Sequence, residues 1–344
     1  MTALLALWQL SLVLCVATLL ALLVILVARP VAERRRLRQE RERRRLAPLL
    51  MAPQLEAPVL PSGGIERDTA VRMAVELAEF VRGPDRDALL VNAAALRIPQ
   101  VLLQHSVSST AQERLLAAEA LAMFPSGKRR VREMLRDSNP DVRLGAALAL
   151  AQNQAAPPAT DLVRTLGLGT TERSLLIASL MRDLVESDPA SVEALLVDET
   201  LPDAAKLAAV DALAASGRIE HAPLVALMAE RAEQESELLP RIYHALGRIG
   251  HPSGHGAIQK GLSHPLWAVR AAAAQAAGAS AFAASADRLG ELLGDQQWWV
   301  RFRSGEALWR LGRTGQETLE SIAVSGQDIA REAARLTLQE RSGA

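Results

Sequence analysis

Cysteine is almost missing from this chain: Cys15 is the only one in 344 residues. Neither an internal disulfide framework nor a thiolate metal site can form. Aromatic residues are scarce as well, at 3%, which disfavours β-sandwiches and barrels, whose strands draw on aromatic and β-branched side chains. Ala and Leu dominate instead, a composition suited to closely packed helices. There is no net charge, since 39 basic residues balance 39 acidic ones, but the charges are unevenly placed. Residues 1–28 carry none, residues 29–45 carry nine Arg against Glu33, Glu40 and Glu42, and residues 46–344 hold 30 basic and 36 acidic residues, a balance of −6. A mildly acidic body argues against nucleic acid as a partner, because phosphate neutralisation needs a basic face.

What is present begins with the uncharged stretch from Thr2 to Ala28. About 20 apolar residues cross the hydrocarbon core of a bilayer, so this segment reads as a transmembrane helix, residues 1–30 with its flanks. A cleaved signal peptide is the weaker reading, since no basic region precedes the run and the run exceeds the usual length of about 7–15 residues. Arg29, Arg34, Arg35, Arg36, Arg38, Arg41, Arg43, Arg44 and Arg45 all follow it. The positive-inside rule then puts the N-terminus outside and the body in the cytoplasm, as a single-pass membrane protein. Arg34 to Arg45 continue as a helix with Glu–Arg pairs at i, i+3 and i+4. They either attract anionic lipid headgroups, at about 1 kcal/mol per basic residue, or only fix the topology. Residues 31–64 complete the connection. Pro48, Pro53, Pro58 and Pro61, followed by Gly63-Gly64, predict an extended spacer from Leu46 onward, with a short contact through Leu49, Leu50 and Met51 as an option.

From residue 65 to 344 the pattern is helical and repetitive. Asp295–Gly312, DQQWWVRFRSGEALWRLG, places Val300, Ser304, Ala307, Leu308 and Leu311 on one helical stripe. Asp295 stands in the turn before it, and Gly312 is positioned to stop the helix in the left-handed conformation. Leu308 has counterparts at Leu338, Ala277, Leu246, Leu213, Leu180, Leu150 and Leu121, spaced 29–33 residues apart. Shorter apolar segments, such as Val131–Leu135, Leu162–Leu166 and Leu289–Leu293, lie between these copies. The period near 31 therefore predicts two antiparallel helices per repeat, A then B, in an all-α, right-handed α-solenoid of about eight pairs.

LGRIGHPSGHGAIQKGLSHPLWAVRAAAAQAAGA and LLGDQQWWVRFRSGEALWRLG resemble HEAT repeats of the short bacterial type also found in phycobilisome-lyase-like proteins. The resemblance covers about 120–340 and speaks for fold more than function. It implies that the Arg after the Val of the repeat builds a ladder between neighbouring repeats. The matching positions are Arg114, Arg143, Arg173, Lys206, Arg270, Arg301 and Arg331, and Leu239 breaks the series. Small membrane-anchored HEAT proteins of this kind imply an accessory role beside a membrane enzyme such as a polysaccharide-synthesising glycosyltransferase. Two rivals belong to the same broad family: a phycobilin-lyase-like enzyme or chromophore chaperone, and a HEAT-like DNA glycosylase.

Chemistry-bearing constellations are few. His251, His255 and His264 lie close in sequence, but the first and last sit at turns on opposite ends of one helix, without the spacing of a metal site. Tyr243 and His244 fall on a B helix and are expected to face the groove. No nucleophile–base set is present, so the chain reads as a non-enzyme with no cofactor and no metal. The ten aromatic residues are more telling, since five are Trp267, Trp298, Trp299, Phe302 and Trp309. Trp267 and Trp298 are expected at inter-helix turns, and Trp309 at a position usually small. With Arg303 among them, they read either as a surface for a membrane-associated protein partner or as a cap over the solenoid's last repeat.

Overall fold

The computed structural model describes residues 18, 20, 22, 40–41, 43–51, 64–168, 175–232 and 238–342. Most of the uncharged stretch 2–28, together with Arg34, Arg35, Arg36, Arg38 and Arg173, lies outside them. Among the described residues all regular structure is helical, and no helix is long and apolar enough to cross a membrane. The chain divides into two compact units, 1–127 and 128–344.

The first unit contains α1 (Gly64–Phe80), α2 (Pro84–Ala95), α3 (Ile98–His105) and α4 (Ala111–Leu121). Its core is small-residue packing around a few leucines: Ala74, Ala78, Leu89, Ala93, Leu96, Leu102 and Leu121 are all 3% exposed or less. The expected extended spacer does not begin at Leu46, because residues 43–51 are helical despite Pro48. Leu46 and Leu50, one turn apart, are buried, and the Leu50 carbonyl accepts a hydrogen bond from Asn92 Nδ2 at 3.0 Å. Burying two leucines is worth about 1.5–3 kcal/mol each, enough to offset the roughly 3 kcal/mol that an interior proline costs a helix. Leu49 and Met51 stay exposed.

Among the described residues the second unit is a run of seven helix pairs, each a shorter or longer A helix followed by a B helix. They are α5 (Lys128–Met134) and α6 (Pro140–Gln152), α7 (Ala159–Leu166) and α8 (Leu175–Ser187), α9 (Pro189–Val197) and α10 (Asp203–Ser216), and α11 (Ala222–Arg231) and α12 (Leu238–Ile249). Then follow α13 (His255–Gly261) and α14 (Trp267–Ala279), α15 (Ala286–Leu292) and α16 (Trp298–Arg310), and α17 (Arg313–Ser325) and α18 (Asp328–Ser342). Each B helix packs on the next B helix, from α6 through α18, which is the nearest-neighbour stacking of a solenoid. Leu150, Leu180, Leu213, Leu246, Ala277 and Leu308, which carry the 31-residue period, are all 2% exposed or less.

The tightest joints are between α12, α14 and α16. A Cβ placed on Gly247 would lie 2.8 Å from Ala276 Cα, and one on Gly278 would lie 2.6 Å from Ala307 Cα. Both contacts are backbone against backbone, and they recur one period apart. Only glycine lets two helices approach that closely, and the reward is dispersion contact along their whole length. Gly312 has φ 68° but ψ −138°, so it ends α16 in an extended conformation open to glycine alone rather than in the left-handed helical one.

Gly278→Leu is expected to lower the unfolding free energy by about 1–3 kcal/mol through overpacking. Gly256→Ala, where an added Cβ meets nothing within 4 Å, is expected to raise it by about 0.4–1 kcal/mol. Thermal or urea unfolding of both variants measures this; equal effects of the two would refute the close-approach account.

Candidate functional site

The turns between A and B helices are built by arginine. Arg143 Nη1 donates to the carbonyls of Asp137 and Ser138, at 3.0 and 3.4 Å. Arg270 Nη1 donates to His264 and Pro265, at 2.9 and 2.7 Å, and Arg301 Nη1 to Asp295 and Gln296, at 2.8 and 3.0 Å. In the first unit Arg114 does the same with Ser108 and Ser109. Arg331 holds the Gly326 carbonyl at 2.7 Å. The recurrent contact thus closes the arginine's own turn, six and five residues upstream, where the resemblance implied a rung to the next repeat. Arg270 adds such a rung: its Nε and Nη2 meet Asp295 Oδ2 and Oδ1 at 2.8 and 3.1 Å. Lys206 has one ammonium in place of the fork and lies near Asp198. Leu239 is buried in the core, so the clamp is interrupted there.

Clamping these turns fixes what the next helix presents first. Trp267 opens α14, and Trp298 and Trp299 open α16; they are 43%, 53% and 51% exposed. Trp298 stacks on Phe302 with centroids 5.2 Å apart, and Trp299 meets both rings edge-on at 4.6 and 6.1 Å. The Arg303 guanidinium lies 5.6 Å from the Phe302 ring centre, within cation–π range. It also pairs with Glu306 at 2.8 Å, and Glu306 pairs with Arg310 at 2.9 Å. Each aromatic pair contributes about 0.5–1.5 kcal/mol beyond its buried area, so the cluster is ordered while its faces stay open to solvent. Trp309 is only partly exposed.

The small-residue series ends at Trp309. Gly247 and Gly278 are followed, one period of 31 on, by an indole, and the place of Ala271 is taken by Phe302. No ring fits where a methyl group does not. The close approach of α18 to α16 moves to Gly305, whose Cβ position is occupied by Thr337. The partners are 29 residues apart in the first two contacts and 32 in this one, a slip of about one helical turn. Toward the start of α16 the two helices leave a groove of about 400 Å³ floored by Trp298, Phe302, Ile329, Ala333 and Leu336. Ile329 and Leu336 are about half exposed.

The other candidates have structural employment. His251 Nδ1 accepts from Ser253 N at 3.2 Å, and His264 Nδ1 accepts from Leu266 N at 3.2 Å, so both cap turns. His255 stacks on Phe282. Among the described residues no group of three or more His, Cys, Asp or Glu is placed to hold a metal ion. Tyr243 does not face the groove: it is 3% exposed, lies over Gly261, and burial, with Glu230 adding to it, pushes its hydroxyl to about 12. His244 is held below its ordinary range by burial first and then by Arg303 and Arg241, against Asp211. Arg241 pairs with Asp211 at 3.0 Å, so this B-helix face carries charges of both signs.

The HEAT-repeat profile matches residues 257–339, which span α13 to α18. The crystal structure of Kap121p bound to RanGTP is similar over 85% of this chain and 38% of Kap121p, with 13% identity and a TM-score of 0.50. A crystal structure of an engineered protein aligns over 86% of this chain and 88% of its own, with 19% identity and a TM-score of 0.37. This chain therefore spans well under half of the Kap121p structure, and the likeness to it is one of fold. No curated protein matches the sequence.

Burial raises the Asp295 carboxyl, but the Arg270 hydrogen bonds, the Gln297 N–H and the charges of Arg270 and Arg301 outweigh it and hold the group below its ordinary value. A carboxylate with a folded-state value below the unfolded one, about 3.9, stabilises the fold above that pH and loses the contribution as acid protonates it. Asp295→Asn is expected to lower the unfolding free energy by about 1–3 kcal/mol at pH 7. The gap to the native chain should narrow below about pH 4; a gap unchanged between pH 7 and 2.5 would contradict the pairing.

Proposed function

We propose that this HEAT-repeat protein is a non-catalytic scaffold, anchored in a membrane by residues 2–28, that holds a protein partner against the edge formed by Trp267, Trp298, Trp299 and Phe302. The observation that carries this reading is the exposure of Trp298 and Trp299, both above one half, in a chain with only five tryptophans. α17 and α18 follow α16, so these rings do not cover the last described helix pair. Trp and Arg are the residues that most often dominate binding energy at interfaces, and stacked helical repeats supply extended surfaces for it. A solenoid of the same fold has a protein bound in the Kap121p–RanGTP structure.

In this proposal the body lies on the cytoplasmic side of a bacterial inner membrane, a reading supported by the arginine run and by the resemblance to short bacterial HEAT repeats. Arg41, Arg43, Arg44 and Arg45 are exposed and available to anionic headgroups, although Arg43 also reaches Glu76 at 3.0 Å. Anchoring raises the effective concentration of the edge around any partner in the same bilayer. A membrane enzyme such as a polysaccharide-synthesising glycosyltransferase suits that geometry.

Two measurements check the proposal. Full-length protein is expected to sediment with membranes, and a chain lacking residues 2–28 to be released. Affinity purification from solubilised membranes is expected to recover a membrane protein, with recovery falling at least tenfold for the Trp298→Ala/Trp299→Ala double variant while its unfolding midpoint is unchanged. Recovery of no membrane protein, or equal recovery by the double variant, would overturn the scaffold reading.

A further inference from the structure

We infer that the groove between α16 and α18 receives an amphipathic helix of the partner, apolar along one face and flanked by Lys or Arg. This deepens the scaffold reading and rests on it.

Shape argues for a helix. Ile329, Ala333 and Leu336 follow one another at i, i+4 and i+7 on α18, opposite Trp298 and Phe302 on α16. From Ile329 to Glu340 this trough is about 16 Å long, three helical turns. A partner helix meets such a trough with its own i, i+4 and i+7 side chains. The opening is built into the sequence, because Phe302 replaces Ala271 of the preceding repeat, and the two helices come into close contact only beyond it, at Gly305 and Thr337.

Charge argues for the flanks. Asp328, Glu332 and Glu340 border the apolar floor. Arg301 lies on the same lining and donates to the Asp295 and Gln296 carbonyls, so three carboxylates face one guanidinium there. Arg331, which holds the Gly326 carbonyl, comes within 3.4 Å of Asp328. An adjoining open groove of about 1320 Å³ between α15 and α17 is lined by Asp287, Glu291 and Glu317, of which Glu291 pairs with Arg288 and Glu317 with Arg313. The surplus of carboxylates over guanidinium on the lining of the α16–α18 groove favours cationic flanks over anionic ones.

The test uses full-length protein in a neutral detergent and an 18-residue helical peptide of Leu and Lys carrying a photo-crosslinker, with a Leu and Glu peptide of the same pattern beside it. Crosslinks of the Leu/Lys peptide are expected to map to residues 298–302 and 329–340. They should fall at least tenfold with Ile329→Asp and severalfold with Glu332→Lys/Glu340→Lys. Ile329 is 56% exposed, so an unchanged unfolding midpoint shows that this variant still folds. Equal labelling by the Leu/Glu peptide, crosslinks outside the groove, or indifference to Ile329→Asp would overturn the inference, as would self-association that Ile329→Asp abolishes. Should Trp298→Ala/Trp299→Ala lose the membrane partner while Ile329→Asp retains it, the scaffold reading stands and the helix groove falls.

Discussion

The contact between Gly247 and Ala276, repeated one period later between Gly278 and Ala307, sets the distance at which the B helices stack. A Cβ on either glycine would enter the backbone of the next helix, so these positions accept no other residue without moving a helix. The alanine-rich composition follows from the same constraint. Ala271 to Ala274, Ala276 and Ala277 are all 9% exposed or less, because two backbones this close leave room for methyl groups and little more. Stability in this region comes from many small dispersion contacts and not from a few large side chains.

That constraint also explains why the aromatic residues stand apart. Rings have no place inside the tight series, and where they occur the series stops. Phe302 and Trp309 take positions that the preceding repeat gives to Ala271 and Gly278. The next close contact slips by a turn to Gly305 and Thr337, and a groove opens. Trp298 lines it and Trp299 packs edge-on against Trp298, at the start of a helix whose preceding turn is held by Arg301 and, through Asp295, by Arg270 of the repeat before. Rigidity at such a site matters, since a preorganised surface loses less entropy when it binds. The same features that end the regular packing thus create a surface with the composition of an interface.

Much of the fold could be read from periodicity alone. Buried positions repeat near every 31 residues, and a stripe at i, i+4, i+7 and i+8 leaves little choice but a B helix; Val300, Ala307 and Leu308 are buried as that pattern requires. The helix at residues 43–51 was hidden, because proline density reads as extended chain while the burial of Leu46 and Leu50 depends on tertiary partners such as Asn92. The arginine contacts were legible only in part: Arg270 makes a rung to the next repeat through Asp295 and also closes its own turn. A sequence shows that Arg recurs, but not whether its fork turns back to its own turn or forward to the next repeat. Tyr243 was expected at the open face because it falls on a B helix, but its ring lies against Gly261, where there is no side chain to exclude it. The exposed tryptophans were legible by contrast with the repeat; the groove beside them was not, since a slip of one turn follows from steric exclusion between helices distant in the pattern.

The most direct test is amide hydrogen exchange of the full-length protein in its native membranes, compared with the protein purified alone. Slower exchange at residues 265–302 and 328–337 in the membrane is the predicted result, with the α12–α14 contact region unchanged. Identical exchange at those residues in both preparations, or protection confined to other parts of the chain, would contradict the claim that this edge is where the protein binds.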